Sequence, residues 1–273
     1  MTAENAGRPV SGPITDYATL LLAPNPSPMT LDGTNTWILG LPGASAVAVV
    51  DPGPRLDAHL SAVTAHVADA GARVELILLT HGHADHSEGA ADFAERTGAP
   101  VLALDPAHRI GGGQGLHDGD VLRAGELEIR VVGTPGHTSD SLSFLLPDGA
   151  MLTGDTVLGR GTAVVAHPDG SLADYLHSLR MLRELLERNA AAGTQPVILP
   201  GHGPVVRDAL RRVDEYLHHR AQRLEQVRAA CEAGARTAAD VVRTVYADLD
   251  PALFGAAELS VRAQLEYLGR PVG

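Results

Sequence analysis

Five histidines and two aspartates occupy four short, separated stretches of the chain. The densest is Thr80-His81-Gly82-His83-Ala84-Asp85-His86, a His-x-His-x-Asp-His run. The others are Pro135-Gly136-His137-Thr138, Thr153-Gly154-Asp155-Thr156 and Pro200-Gly201-His202-Gly203-Pro204. A neutral imidazole is a good zinc ligand, and a carboxylate can bridge two hard or borderline cations. The set therefore reads as a site for a pair of metal ions. The reaction class that follows is metal-assisted hydrolysis; the substrate does not follow from it.

The run of ligands reads as a tight turn, not one continuous helix, so alternate side chains project to different sides. His81 and His83 can then share one ion, while Asp85 and His86 face a second. His137 and His202 each sit in a Pro-Gly-His turn after a strand, where glycine leaves the backbone free to aim an imidazole into a cleft. Asp155 follows Thr153-Gly154 at another strand end and can bridge both ions. The other histidines (His59, His66, His108, His117, His167, His177, His218 and His219) are read as structural.

These side chains need elements to hold them. Residues 36–39 and 46–50 read as strands, the second apolar throughout and so buried on both faces. Asp51-Pro52-Gly53-Pro54 ends it with turn chemistry. Residues 56–70 carry Leu60, Val63 and Val67 at helical spacing. Residues 74–79 form the strand that delivers the histidine run, which leads into a helix over 87–97. Short strands are predicted at 100–104, 126–132 and 141–146, and Met151-Leu152 leads to Asp155. Residues 171–189 are an amphipathic helix with Ser171 as N-cap, and 196–199 is a last strand delivering His202. Sites in open α/β layers collect at the carboxyl ends of strands, where these motifs fall. After Pro204 only helices are predicted, at 206–230, 237–247 and 251–268. The expected organisation is a loose tail over 1–12, a catalytic domain over 13–206 and a helical domain over 207–273.

All 21 basic side chains are arginine, and the net charge is −12. That balance argues against an extended nucleic-acid footprint, which needs basic surface. The single cysteine, Cys231, permits no intrachain disulfide and reads as a buried, inert thiol in a reduced, cytoplasmic setting. No stretch approaches the roughly 20 apolar residues of a membrane-spanning helix, so no membrane association is expected. Gly111-Gly112-Gly113-Gln114-Gly115 lacks the strand-to-helix context and the lysine of a phosphate loop.

The order of the motifs, with Asp51 in Val50-Asp51-Pro52-Gly53 ahead of them, resembles the metallo-β-lactamase superfamily of hydrolases. The resemblance implies an α/β fold, a four-layer αββα sandwich with a dinuclear zinc site at one edge. It implies that His81, His83 and His137 bind one zinc, that Asp85, His86 and His202 bind the other, that Asp155 bridges them and that Asp51 buttresses the cluster from behind. Aspartate stands at the bridging position, where many true β-lactamases have cysteine, which argues against antibiotic hydrolysis. Asn25-Pro26, Leu31-Asp32-Gly33-Thr34-Asn35-Thr36, Leu158-Gly159-Arg160-Gly161-Thr162 and Tyr216-Leu217-His218-His219-Arg220 are similar to one branch, that of lactamase-beta-like protein 2. That branch carries a winged-helix-like C-terminal appendage. Here the wing strands are expected to be short or absent.

The expected activity is hydrolysis of a small-molecule ester or thioester. Two zincs would share a water and lower its pKa to about 7, with Asp85 orienting that water and carrying its proton. The seven ligands do not by themselves separate zinc from iron. The alternative is phosphodiester cleavage of short single-stranded RNA, since the animal member of the branch is an endoribonuclease. Arg207, Arg211, Arg212, Arg220, Arg223 and Arg228 along the first tail helix bear on it. Asp208, Asp214, Glu215 and Glu225 are mixed among them, so a solvated helix face is the simpler reading. A non-enzymatic module that binds DNA through its tail is opposed by the acidic balance and the complete ligand set.

Overall fold

The computed structural model describes residues 11–271. In chain order its strands and helices are β1 (Gly12–Pro13), β2 (Ala18–Leu22), β3 (Asn35–Leu39), β4 (Ala46–Val50), α1 (Asp57–Asp69), β5 (Arg73–Leu78), α2 (Ala84–Ser87), α3 (Ala90–Thr97), β6 (Val101–Leu102), β7 (Val121–Ala124), β8 (Leu127–Gly133), β9 (Leu142–Leu145), β10 (Met151–Gly154), α4 (Leu172–Ala191), β11 (Ile198–Pro200), α5 (Ala209–Glu232), α6 (Ala238–Val245) and α7 (Phe254–Tyr267). Six strands form one sheet in the order β1-β2-β3-β4-β5-β6, and five form a second in the order β11-β10-β9-β8-β7. Both are mixed: β4, β5 and β6 run parallel, as do β10 and β11, while the other neighbours are antiparallel.

The layers follow from which faces are apolar. Trp37, Leu39 and Val50 of the first sheet meet Ile129, Val131, Phe144 and Leu152 of the second in the central core. On the outer face of the first sheet, Val49 and Ile77 pack on Leu60, Val63 and Phe93 of α1 and α3. On the outer face of the second, Met151 and Ile198 pack on Tyr175, Leu179 and Leu182 of α4 and on Val213 of α5. Strand β4 is buried at every position, as a strand covered on both faces must be. The result is the four-layer α/β sandwich. A separate small core joins Val227 of α5, Val241 and Val242 of α6 and Val261 and Leu265 of α7. No strand follows β11 among the described residues. None of the described helices is long and apolar enough to cross a membrane.

Several expectations change. Gly12 pairs with Leu20, so the predicted loose tail gives way to a strand at its end; residues 1–10 lie outside the described residues. The strands β2 and β7 carry no clean alternation in sequence and are additions. The helix predicted at 87–97 is two pieces: α2 begins at Ala84, and the chain breaks at Gly89, which packs against the carbonyls of Gly53 and Pro54 too closely for a side chain. Asp85 and His86 therefore ride on a helical turn, while His83 caps it in extended conformation. Val206 bridges Ile198 instead of opening a helix, and Asp208 caps α5 two residues later. Cys231 is half-buried against the tail core, not enclosed.

Candidate metal centre

Separate segments of the chain deliver the predicted side chains to one pit. His81 and His83 follow β5, Asp85 and His86 sit on α2, and His137, Asp155 and His202 follow β8, β10 and β11. His83 Nδ1 lies 3.0 Å from His81 Nε2 and 3.0 Å from His137 Nε2. His202 Nε2 lies 3.2 Å from His86 Nε2 and 3.1 Å from Asp85 Oδ2. Asp155 stands between the two groups, with its carboxylate 3.5 Å from His86 Nε2, 3.4 Å from His202 Nε2 and 3.8 Å from His137 Nε2. His81, His83 and His137 thus form one group able to hold an ion, Asp85, His86 and His202 another, and His81, His86 and Asp155 a third.

The partners on the far side of each ring decide where its lone pair points. The Thr80 hydroxyl donates to Asp51 Oδ2 at 2.7 Å, so it accepts from His81 Nδ1 at 3.0 Å. His137 Nδ1 donates to the Val164 carbonyl at 2.6 Å, and His202 Nδ1 to the Gly33 carbonyl at 3.1 Å. His86 Nδ1 donates to Asp51 Oδ2 at 2.8 Å. Carbonyls and carboxylates can only accept, so in the neutral rings the Nε2 atoms of His81, His86, His137 and His202 all carry lone pairs, and all face the pit. Asp155 Oδ1 is buried and makes no hydrogen bond. Nitrogens about 2.0–2.1 Å from one tetrahedral zinc would be roughly 3.3 Å apart, close to the observed spacing. The donor set therefore fits divalent cations.

Protons compete unevenly for these nitrogens. Burial pushes His81 well down, helped by the neighbouring His86 and His137, and pushes His137 down to about 4. Burial also opposes charge on His86 and His202, but the carboxylates of Asp155, Asp51 and Asp85 outweigh it on His86, which is held well up. Asp155 and Asp85 hold His202 at about 9. Burial raises Asp85 and Asp155, yet His86 and His202 bring Asp85 down to about 2 and Asp155 well below the usual carboxylate range. His81 and His137 stay neutral, whereas His86 and His202 charge because carboxylates face them.

Asp51 lies under the histidine run, at φ +51° and almost wholly buried. Its carboxylate accepts from the Thr80 amide at 2.8 Å, the Thr80 hydroxyl and His86 Nδ1. Asp51→Asn must turn an N–H toward one of these donors. Outer partners of this kind set ligand orientation, and their loss costs about 10–100-fold in metal affinity. Titration against a chromogenic chelator should show that weakening in a folded variant, and unchanged affinity would refute the role.

Other residues had no stated role in the sequence reading. Asn35 Nδ2 donates to the carbonyls of Pro200 and Gly203, each at 2.9 Å, and Trp37 Nε1 donates to Pro200 at 3.2 Å. They fasten the His202 loop to the first sheet. Thr36 Oγ1 donates to the Asp51 carbonyl at 2.8 Å, so it accepts from His59 Nε2 at 2.9 Å; His59 is structural. For Asn35 and Thr36 the only signal was membership of the Leu31–Thr36 motif.

Two cavities of about 330 Å³ each open on the pit. One is walled by Met29, Ala166, Ala256 and Leu259 beside His83 and Asp85. The other runs beneath α5 and α7, past Leu31, Leu158 and Val164. The tail shapes it directly: Tyr216 Oη accepts from Leu158 N at 2.8 Å, and Ser260 Oγ accepts from Val165 N at 3.1 Å. The loop at Gly111–Gly113 lines neither. The arginines of α5 are mostly engaged. Arg211 and Arg228 pair with acids on their own helix, Arg212 donates to the carbonyls of Leu158 and Gly161, and Arg220 donates to that of Ala163.

The profile of the metallo-beta-lactamase superfamily matches residues 29–202, and that of the beta-lactamase associated winged helix domain matches residues 237–270. The beta-lactamase-like protein 2 homolog of Caenorhabditis elegans is 33% identical over 263 residues, covering 93% of this chain and 85% of that protein. The atrochrysone carboxyl ACP thioesterase of Aspergillus fumigatus is 32% identical over 249 residues, covering 84% of this chain and 73% of that one. A metallo-beta-lactamase family protein of Thermus thermophilus superposes with a TM-score of 0.73 at 26% identity, covering 92% of this chain and 93% of that one. The chain belongs to the metallo-beta-lactamase superfamily of hydrolases, in a form that carries the associated winged-helix domain.

Proposed function

We propose that the protein is a dinuclear zinc hydrolase acting on a small-molecule ester or thioester. The observation that supports the reading is the convergence of ring nitrogens in two groups, 3.0 Å apart about His83 and 3.2 Å apart between His86 and His202, with the Asp155 carboxylate between them. His81, His83 and His137 would hold one ion, and Asp85, His86 and His202 the other, with Asp51 bracing them. Residues 13–206 form the catalytic unit in this reading and 207–273 the appended domain, whose helices α5 and α7 wall the cleft. Bound ions would supply Lewis acidity and an activated water. A thioester is favoured over other esters by the thioesterase-named relative and by the apolar rim, where Met29 and Leu259 stand 47% and 38% exposed.

Asp85 reaches the cavity walled by Met29 and Leu259 with its side chain 30% exposed, and its Oδ2 lies against His202 Nε2. It would orient the attacking water and accept its proton, then return a proton to the leaving thiolate. Asp85→Asn keeps an oxygen ligand but loses the base, and turnover should fall on the order of 10²-fold or more. Elemental analysis should show that much of the metal stays bound. Near-normal turnover would remove Asp85 from the proton path.

The reading as a whole is tested by thioester, lactone, phosphodiester and short RNA substrates, offered to the metal-replete enzyme and to His83→Ala. Thioester turnover lost in His83→Ala is expected. Cleavage of RNA alone would overturn the reading, and the engaged arginines of α5 give no reason to expect it. Iron in place of zinc in freshly purified protein would overturn the choice of metal.

A further inference from the structure

The cavity beneath α5 and α7 differs in charge from the rest of the molecule. The chain carries a net charge of −12, yet this cavity is lined by Arg160, Arg220 and Arg223, and by no carboxylate except Asp155 of the pit. Arg160 is paired with Asp32. Neither Arg220 nor Arg223 is paired with a carboxylate among the described residues. Arg220 is 3% exposed; it stacks on Tyr175, and its Nε is buried without a partner. Arg223 stacks on Tyr246 with its guanidinium carbon 4.5 Å from the ring centre, and among the described residues its hydrogen bonds go to His219, Gln226 and the Val245 carbonyl.

His219 adds a third donor. Arginine cannot accept a hydrogen bond, so its Nε–H at 3.3 Å fixes the lone pair of His219 at Nε2. Burial and the adjacent Arg220 and Arg223 push the His219 imidazole down to about 4, so the ring is neutral and its proton sits on Nδ1. That Nδ1 is buried and has no partner among the described residues. This part of the cavity wall is thus rich in N–H donors and holds no carboxylate, while Leu31, Leu158, Leu249 and Leu253 make much of the remainder apolar. Cations without a carboxylate partner attract an oxyanion, and Arg223, which lines the cavity, is the group placed to contact it.

We infer that this cavity receives the acyl arm of the substrate, and that Arg223, with Arg220 and His219 beside it, binds a carboxylate carried on that arm. The inference rests on the ester or thioester reading above. An apolar wall suits the methylenes of an acyl chain. It suits the amides of a thiol arm poorly, since Leu31, Leu158, Leu249 and Leu253 offer them no partners for the water they lose.

The test compares the adipoyl and hexanoyl thioesters of N-acetylcysteamine, which differ only at the end of the acyl chain. One charge-assisted contact predicts a preference in kcat/KM of about 10–100-fold for the adipoyl substrate, expressed in KM. Arg223→Gln should bring the ratio close to one, and Arg223→Lys should restore part of it. A ratio near one in the wild type, or a preference that survives Arg223→Gln, overturns the inference. If instead hexanoyl-coenzyme A gains over its N-acetylcysteamine counterpart and loses that gain in Arg223→Gln, the anion sits on the thiol arm and the acyl assignment is wrong. Should the enzyme turn over no ester or thioester, the hydrolase reading fails separately. Calorimetric titration with adipate and hexanoate then decides: adipate-selective binding lost in Arg223→Gln upholds the anion site, and no adipate binding removes it. The same titration on the wild type, with adipate as a competitor, decides the matter if Arg223→Gln does not fold.

Discussion

Asp155→Ala should lower turnover on the order of 10³-fold, because a Lewis-acid centre supplies several kcal/mol of transition-state stabilisation. Among the described residues, Asp155 is the one carboxylate within 4 Å of ring nitrogens from both ligand groups, His137 on one side and His86 and His202 on the other. Its removal takes a negative charge from between both clusters of imidazoles. Metal loading should therefore fall at both positions, and elemental analysis after dialysis reads this directly. A variant that kept both equivalents, with turnover within about tenfold of wild type, would show that Asp155 does not join the two halves. His83→Ala makes the contrast: the His83 ring touches the nitrogen-rich group, so its loss should spare any ion held by Asp85, His86 and His202.

Gly136→Ala should cost about 3 kcal/mol or more, among the larger effects of a single substitution, and lower the melting temperature by roughly 6–12 °C for a chain of this size. Gly136 has φ +137°, and a Cβ there would stand 2.5 Å from Tyr175 Cβ and closer still to the Tyr175 backbone. The clash cannot be relieved by turning a side chain. Gly136 also accepts from Ser171 N at 3.1 Å, at the residue that caps α4. Either α4 moves or the turn carrying His137 does, and the second response takes His137 Nε2 out of reach of His83. Gly98→Ala is the control: φ is +72° but the space around it is open, so only the left-handed backbone cost of about 1–2 kcal/mol applies. If calorimetric melting shows no greater loss for Gly136→Ala than for Gly98→Ala, the close approach of the turn to α4 is not a determinant of the site.

Much of the fold was legible in the chain. The apolar run at Ala46–Val50 announced a strand covered on both faces, and it is buried throughout. Ser171 was readable as an N-cap, and its Oγ accepts from Asp174 N. Strands β2 and β7 were not legible, because a short strand half-covered by its neighbours leaves no clean alternation. The start of α2 was missed for a related reason: four residues are too few for a helical period. Gly89 ends that turn because the carbonyls of Gly53 and Pro54 press on it, contacts no local pattern encodes.

The candidate ligands could be named from sequence because their types, motifs and order are local properties. The resemblance of that order to a known superfamily supplied the sandwich and the expected pairing of the ligands. Only the tertiary structure decided where the lone pairs point. That depends on which acceptor meets the back of each ring: Asp51 behind His86, Val164 behind His137, Gly33 behind His202. These partners lie 27 to 169 positions away from the ligands they hold, apart from Thr80 beside His81. The fate of the tail arginines was likewise out of reach of the chain alone. A row of charges along one helix reads as a solvated face. Packing instead turned Arg212 and Arg220 onto the carbonyls of the loop over the pit and left Arg223 facing a cavity. Residue types and spacing decide which chemistry a chain can support, whereas charge and hydrogen-bond complementarity depend on groups brought together across the whole fold.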